Sequence, residues 1–225
     1  MSERKFNINW RYAIGEFLIV VLGIIAAFQV DSWKGDRENK RLLIEYLTDL
    51  NVGLQTDSVY FNNATKYFDK MAAQIDSTKQ FLQAGQREIP SSGQRSIRNL
   101  SDWYHTYVSN AAFEDLNNSG RLNLIKEKKL RYDLIAYYQY IEFVKVLDEE
   151  YNQSMDRMQE NLLTRLDFQD KESLKVPKEE VTLILNYLSL KETYMHNYLS
   201  HRNICQAINS SICQQIEAIL KSEGN

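Results

Sequence analysis

The pattern of hydrophobic positions divides the chain into one continuous apolar run near the N-terminus and several long periodic segments after it. Residues 17–30 read FLIVVLGIIAAFQV and carry no charge. Extending the run back to Tyr12 gives nineteen residues with one ionisable group, Glu16. A helix of that length spans about 28 Å, near the hydrocarbon thickness of a bilayer. We therefore predict a transmembrane helix over residues 12–33, preceded by a short basic tail at residues 1–11.

The residues that flank this run support the same interpretation. Trp10 and Trp33 bracket it, and Arg11 and Lys34 lie beside them. Aromatic rings favour the two membrane interfaces, and long cationic side chains extend outward from them, so we predict these four residues to be interfacial anchors. A buried core helix and the apolar region of a signal peptide are the alternatives. The nearest cleavage-like stretch, residues 25–27, is a poor signal-peptidase site.

One face of the predicted membrane helix combines a carboxylate with small residues. Val20, Gly23 and Ala27 all lie within about 40° of Glu16 around a helix. Small residues allow close approach of two helices, so we predict this face to be a helix–helix interface in the membrane. Glu16 is open to two interpretations. It either faces protein within the membrane or lies solvated among the lipid headgroups.

Residues 34–225 predict a helical-bundle domain. Positions with alternating spacings of four and three form the first seam, with Asp57 and Thr78 as polar interruptions: Leu43, Leu47, Leu50, Leu54, Asp57, Phe61, Ala64, Phe68, Met71, Ile75, Thr78 and Leu82. The second seam comprises Leu130, Leu134, Tyr137, Ile141, Val144, Asp148, Tyr151, Met155, Met158 and Leu162. The third comprises Ile184, Tyr187, Tyr194, Tyr198, Cys205, Ile208, Ile212 and Ile219. The predicted fold class is all-α, an N-terminal transmembrane helix continuing into an elongated antiparallel helical bundle.

Glycine and proline mark the predicted connections. The first seam belongs to one helix or to two helices with a break near Gly53, and Gly85 is the predicted C-cap. Residues 89–93 predict a loop, and residues 97–119 predict one or two shorter helices that end at Gly120. Pro177 suits the first position of the last helix. No alternation typical of strands is seen, so no strand is expected.

Two stretches resemble a family of uncharacterised single-pass membrane proteins, a domain of unknown function frequent in Bacteroidota. The first is YAIGE at residues 12–16 followed by LIVVLGIIAAFQVDSW. The second is AFEDL at residues 112–116, then Ser119-Gly120, Leu122, Leu124-Ile125-Lys126, Leu130-Arg131 and Tyr137-Tyr138. Together they cover about a fifth of the chain. The resemblance implies a bacterial, membrane-anchored helical protein and supplies no activity.

Composition and motifs narrow the function classes. The chain has 225 residues, a formal net charge of −3, two prolines and eight glycines, so no basic footprint indicates nucleic acid as a partner. No nucleotide-binding, zinc-protease or nucleophile-elbow motif is present. His196 and His201 lie about 140° apart on a helix, which disfavours a shared metal. Cys205 and Cys213 are about 12 Å apart on a helix, too far for a disulfide, and are expected to be core thiols. We expect no enzyme activity, no metal and no cofactor.

The expected function is therefore that of a membrane-anchored interaction or scaffold subunit that self-associates through its membrane helix. The alternative is a homo-oligomeric channel or transducer subunit with Glu16 facing the helix interface. The expected partners are the lipid bilayer and a second copy or another protein. The expected location is a bacterial inner membrane, with the N-terminus cytoplasmic and the bundle periplasmic, although Lys and Arg counts on the two sides of the span do not decide the orientation.

Overall fold

The computed structural model describes residues 10–170 and 172–223, and the side chains of all of these except residues 10–13 and 92. The all-α class is confirmed. The elements follow in this order: α1 Trp10–Gln83, β1 Glu88–Pro90, α2 Ser91–Arg98, α3 Ala111–Asn118, a 3₁₀ helix Arg121–Leu124, α4 Lys128–Leu163, β2 Ser173–Lys175, a 3₁₀ helix Lys178–Glu180, and α5 Val181–Glu223. The predicted tail at residues 1–11 lies outside the described residues, apart from the backbone of its last two positions.

The chain divides into two compact units, with the boundary between Tyr46 and Leu47. In the first unit, every described residue belongs to α1. In the second unit, the first hydrophobic seam is confirmed, because each of its positions from Leu47 to Leu82 is buried. The helix passes through Gly53 without a break. Its continuity follows from the seam, which keeps the same face toward the core on both sides of the glycine.

Polar contacts define the directions of the three long helices in the second unit. Leu54 and Lys79 of α1 contact Asn209 and Glu192 of α5, respectively, so α1 and α5 are antiparallel. The pairs Asp133–Gln215 and Ser154–Tyr194 show that α4 and α5 are antiparallel as well. Helices α1 and α4 therefore run in the same direction, and the chain between them must return along the bundle.

The returning element is an extended segment, residues 99–110, which we call the strap. Residues 97–119 were expected to be helical, and this expectation is wrong for the strap. Helix α2 ends at Arg98, and the next α-helix in that range is α3. The side chains of Leu100, Trp103 and Val108 are buried and replace the apolar face that a helix would have offered. The bundle thus has four elements, with α1 and α4 running in one direction and the strap and α5 in the other.

The two short strands correct a second expectation. Residues 89–93 were expected to form a loop and no strand was expected, but β1 pairs antiparallel with β2, with Ile89 opposite Leu174. Both of these side chains are fully buried. Strands of three residues are too short to produce a visible alternation, which explains why the pattern missed them.

The third seam is corrected in register. The buried positions of α5 are Val181, Ile184, Leu188, Lys191, Met195, Tyr198, Arg202, Cys205, Asn209, Ile212 and Ile216. The positions Tyr187, Tyr194, Ile208 and Ile219, assigned to the seam by hydrophobicity, are only half-buried. The spacing of three and four residues is unbroken in the structure. The buried face includes three strongly polar residues. Because the prediction used only apolar side chains, it moved to neighbouring positions at these points.

Two glycines occupy the left-handed region, as expected at helix ends. Gly85 has φ of +85° and Gly120 has φ of +70°. Beyond α1, the N–H of Gly85 donates to the carbonyl of Leu82 and the N–H of Gln86 donates to that of Phe81, which is the Schellman arrangement. Pro177 stands one position earlier than expected, as the N-cap of the 3₁₀ helix that leads into α5.

The contrast between Gly53 and Gly85 yields a matched test of α1. A Cβ added at Gly53 meets nothing within 4 Å, so Gly53→Ala should raise the free energy of unfolding by about 1 kcal/mol through helix propensity. Gly85→Ala should lower it by about 1–2 kcal/mol, because alanine disfavours positive φ. Chemical unfolding in detergent micelles, followed by tryptophan fluorescence, measures both. A destabilising Gly53→Ala would contradict a continuous helix.

Candidate functional site

The apolar part of α1 is exposed along its whole length. Ten large apolar side chains between Ile14 and Val30 are 48–73% exposed. The most apolar window of the helix has a mean hydropathy of 2.0 and contains no buried residue. The alternative of a buried core helix does not fit, because a core helix would be covered by its own chain. Among the described residues, α1 is the one helix long and apolar enough to cross a membrane.

The predicted interface residues and anchors lie on this exposed segment. Glu16, Val20, Gly23 and Ala27 are all exposed. A Cβ at Gly23 would meet nothing within 4 Å, so its backbone is accessible to a close neighbour.

Of the predicted anchors, Trp33 and Lys34 are exposed, and the guanidinium of Arg37 lies 5.8 Å from the Trp33 ring centre. The side chains of Trp10 and Arg11 lie outside the described part of the chain.

The buried polar groups of the second unit converge on the strap. Asp148 of α4 is 4% exposed and accepts hydrogen bonds from the indole N–H of Trp103 and from the backbone N–H of Thr106, the latter at 2.6 Å. The Thr106 and Tyr198 hydroxyl oxygens are 2.6 Å apart. Burial raises the pKa of Asp148, and these hydrogen bonds act against the rise. One carboxylate thus fixes both a side chain and the backbone of the strap.

Lys191 of α5 holds the other end of the strap. It is 1% exposed, and its ammonium donates to the carbonyls of Asn99, Leu100 and Asp102 at 3.2, 2.7 and 2.9 Å. Burial lowers the pKa of Lys191 to about 8, and the nearby carboxylate of Asp102 acts in the opposite direction. At neutral pH the ammonium is therefore protonated and uses all three of its N–H groups on the strap.

A third polar cluster surrounds Asp57, the interruption of the first seam. Asp57 accepts a hydrogen bond from the Tyr137 hydroxyl at 2.9 Å and one from the backbone of Ser109, at the far end of the strap. Asn209 donates to the Leu54 carbonyl at 2.9 Å and to the Tyr137 oxygen at 3.4 Å. Burial raises the pKa of Asp57 to about 6.

Aromatic residues form much of the core beside the strap. The Trp103 ring packs edge-on against Phe68, Tyr198 and Tyr151, with centroid separations of 5.0, 5.6 and 6.0 Å. In the tyrosine-rich stretch of α4, Tyr137 and Tyr138 are buried. These rings fill the space between the strap and the helices.

Arg202 is buried among these elements with incomplete pairing. Its Nη2 donates to the hydroxyl of Thr65, while Nε and Nη1 contact no acceptor in the described part of the chain. The side chain is 2% exposed, and its burial lowers its pKa. The sequence analysis missed Lys191, Arg202 and Asn209. The signal that would have found them is the strict spacing of three and four that passes through all three.

Cysteines and histidines form no metal centre within the described residues. Cys205 is buried and Cys213 half-buried, both as free thiols. Burial raises the pKa of Cys205 to about 12, which keeps it protonated and unreactive. The Nδ1 atom of His201 lies 2.7 Å from the Tyr140 hydroxyl oxygen, whereas His196 is exposed.

Comparison of the chain with protein-family models, with curated proteins and with solved structures finds no match. The interpretation of these sites therefore depends on their geometry.

Replacing Lys191 tests its role in holding the strap. Lys191→Met keeps the apolar stem but leaves the carbonyls of Leu100 and Asp102 without their donor, while that of Asn99 keeps the N–H of Asp102, so we expect the free energy of unfolding to fall by about 3 kcal/mol. Amides of residues 99–106 should exchange hydrogen much faster in the folded state. Lys66→Met, the same change at an exposed position of α1, is the control. Unchanged exchange in the strap would show that Lys191 does not hold it.

The raised pKa of Asp57 predicts a pH dependence of stability. The folded chain favours the neutral carboxyl, whereas the unfolded chain ionises it near its ordinary pKa of 3.8. Stability contributed below pH 4 is therefore lost as the pH rises through about 6, by up to about 3 kcal/mol.

The difference in the free energy of unfolding between pH 4 and pH 7 should be smaller in Asp57→Asn than in the wild type by this amount. Asp76→Asn, an exposed change on the same helix, should keep the wild-type profile. An identical pH profile in Asp57→Asn and wild type would refute the assignment.

Proposed function

We propose that the protein is a membrane-anchored interaction or scaffold subunit of a bacterial inner membrane. The observation that carries the proposal is the exposed apolar segment of α1, which none of the described chain covers. Leaving that much apolar area in water is unfavourable by roughly 25 cal/mol per Å², so a lipid or protein environment must cover it. The length of the segment suits a bilayer.

The second unit supports an interaction role in preference to a chemical one. Its buried carboxylates and its buried ammonium are each engaged in holding the strap, and Tyr137 and Trp103 complete the same contacts. These groups therefore have a structural use that accounts for their burial. A rigid folded unit attached to an anchor is suited to presenting a surface to a partner at the membrane.

Self-association of the anchor is the second element of the proposal. The face formed by Glu16, Val20, Gly23 and Ala27 offers small residues for close helix contact. A carboxylate within an apolar segment is less unfavourable when it meets a partner than when it meets lipid. We propose the N-terminus to be cytoplasmic and the second unit periplasmic, because a short basic tail before a single apolar segment favours that insertion.

Fractionation of cells that express the full chain tests the anchor. The protein should stay in the membrane pellet after alkaline carbonate washing, and protease added to spheroplasts should remove a tag placed at the C-terminus but not one placed at the N-terminus. Crosslinking in intact membranes should then capture a second copy or a partner protein. Recovery of the chain in the soluble fraction would overturn the proposal.

The exposed position of Glu16 within the apolar segment favours one alternative, a homo-oligomeric channel or transducer subunit. Gly23→Leu should reduce the oligomer mass measured in detergent under either function, because it separates the helices. Glu16→Gln should change conductance in planar bilayers only if the carboxylate lines a pathway. Gly15→Leu adds the same side chain about 100° around the helix from Glu16 and is the matched control. Equal effects of the two leucine variants would count against this interface.

A further inference from the structure

A cleft of about 100 Å³ with both polar and apolar walls lies in the second unit, between α1, α2, the strap and α5. Its position is fixed by the polar contacts around it. The Thr78 hydroxyl of α1 donates to the Gly93 carbonyl of α2 at 2.8 Å, and Lys191 holds the strap at the base of the cleft. The cleft is therefore formed by elements that are already fastened to one another. The polar side chains that line it include those of Tyr67, Lys70, Gln74, Arg95, Asn99 and Asp102.

The charges around the cleft do not cancel. Lys191 directs its three N–H groups to strap carbonyls, and the carboxylate of Asp102 lies near enough to offset its charge. Two further cations remain, Lys70 on α1 and Arg95 on α2. Neither has a carboxylate within 4.0 Å among the described residues. The cleft therefore carries a local positive charge in a chain whose net charge is −3.

Two neighbouring cations, by contrast, have acceptors within the chain. Lys79, nine residues along α1 from Lys70, is paired with Glu192 at 2.6 Å. Arg98, on the next turn of α2 from Arg95, donates to the carbonyls of Phe168 and Asp170. Lys79 and Arg98 are thus held by protein acceptors, whereas Lys70 and Arg95 line the cleft with no carboxylate within 4.0 Å among the described residues.

Neutral donors complete the lining. The Tyr67 hydroxyl lies close enough to both Asp102 and Arg95 for each to affect its pKa, which burial raises. The Gln74 amide also faces the cleft, and Asn99 directs one N–H to Asp102 at 2.9 Å. One guanidinium, one ammonium, one phenol and one amide supply more donors than the two oxygens of a carboxylate need. They suit a tetrahedral oxyanion, for which arginine and lysine are common partners.

We propose that this cleft binds the phosphate group of a small molecule or of a lipid headgroup, with Arg95 and Lys70 as its principal contacts. The volume equals roughly three water molecules at about 30 Å³ each, enough for one phosphate. The apolar wall formed by Met71 and the Tyr67 ring accommodates the group that is esterified to the phosphate. Asp102 lies on the same cleft and limits the affinity by like-charge repulsion.

Calorimetric titration of the full chain in detergent micelles tests the proposal, with inorganic phosphate and phenyl phosphate as probes. Both should bind saturably, and phenyl phosphate should bind more tightly because of the apolar wall. Arg95→Gln and Lys70→Gln should each weaken binding about tenfold. Asp102→Asn should tighten it severalfold, a change that misfolding would not produce. Lys66→Gln removes the same charge one turn from Lys70 outside the cleft and should leave binding unchanged.

The two sources of phosphate are separated in nanodiscs. If the natural ligand is a lipid headgroup, phosphatidic acid in the disc should weaken the binding of phenyl phosphate by competition, relative to discs of phosphatidylcholine alone. Equal binding in both discs indicates a soluble phosphate ester. Absence of saturable binding, or an equal loss in Lys66→Gln and Arg95→Gln, would overturn the site and leave the proposed anchoring function untouched.

Discussion

The second unit depends on satisfying the backbone of the strap. Buried peptide groups need hydrogen-bond partners, and an extended segment cannot supply them internally as a helix does. Asp148, Asp57 and Lys191, one from each long helix, meet this need by contacting the strap along its length. These three charges, which interrupt the hydrophobic seams, are therefore a consequence of placing one extended element among helices. Burying them is tolerable because each is hydrogen-bonded.

The direction of the long helices explains why the strap is extended. Helices α1 and α4 run in the same direction, so the chain must travel back along the bundle between them. An extended chain advances about 3.3 Å per residue against about 1.5 Å for a helix, so the strap after its turn at residues 99–101 covers a distance that would need about twice as many residues in a helix. The short route leaves residues for α2 and α3. Helix α2 lines the cleft beside Lys191, whereas the Phe113 ring of α3 stacks on Tyr138 of α4 beyond the other end of the strap.

The sequence pattern predicted that the three long helices exist, but it did not predict the strap or the two short strands between them. The first seam was predicted almost position by position, because a repeat of three and four that lasts ten turns has few alternatives. The third seam failed at Lys191, Arg202 and Asn209, since burial there follows from contacts with other elements that local hydrophobicity does not encode. The prediction of helix for the strap residues was wrong for the same reason. The cleft was not foreseen at all, because its lining joins residues from four separate parts of the chain. The exposed apolar face was recognisable since it requires only local information.

The pairing of β1 with β2 has a consequence for the order in which the chain acquires its structure. Ile89 and Leu174 are far apart in sequence, so their pairing closes a loop that contains α2, the strap, α3 and α4. Closing a long loop is entropically unfavourable until other contacts hold its ends. The hairpin of α4 and α5 is local by comparison and forms with a low contact order. Folding should therefore start from that hairpin. The pairing of β1 with β2 should form last and fix the elements that precede α4 against the hairpin.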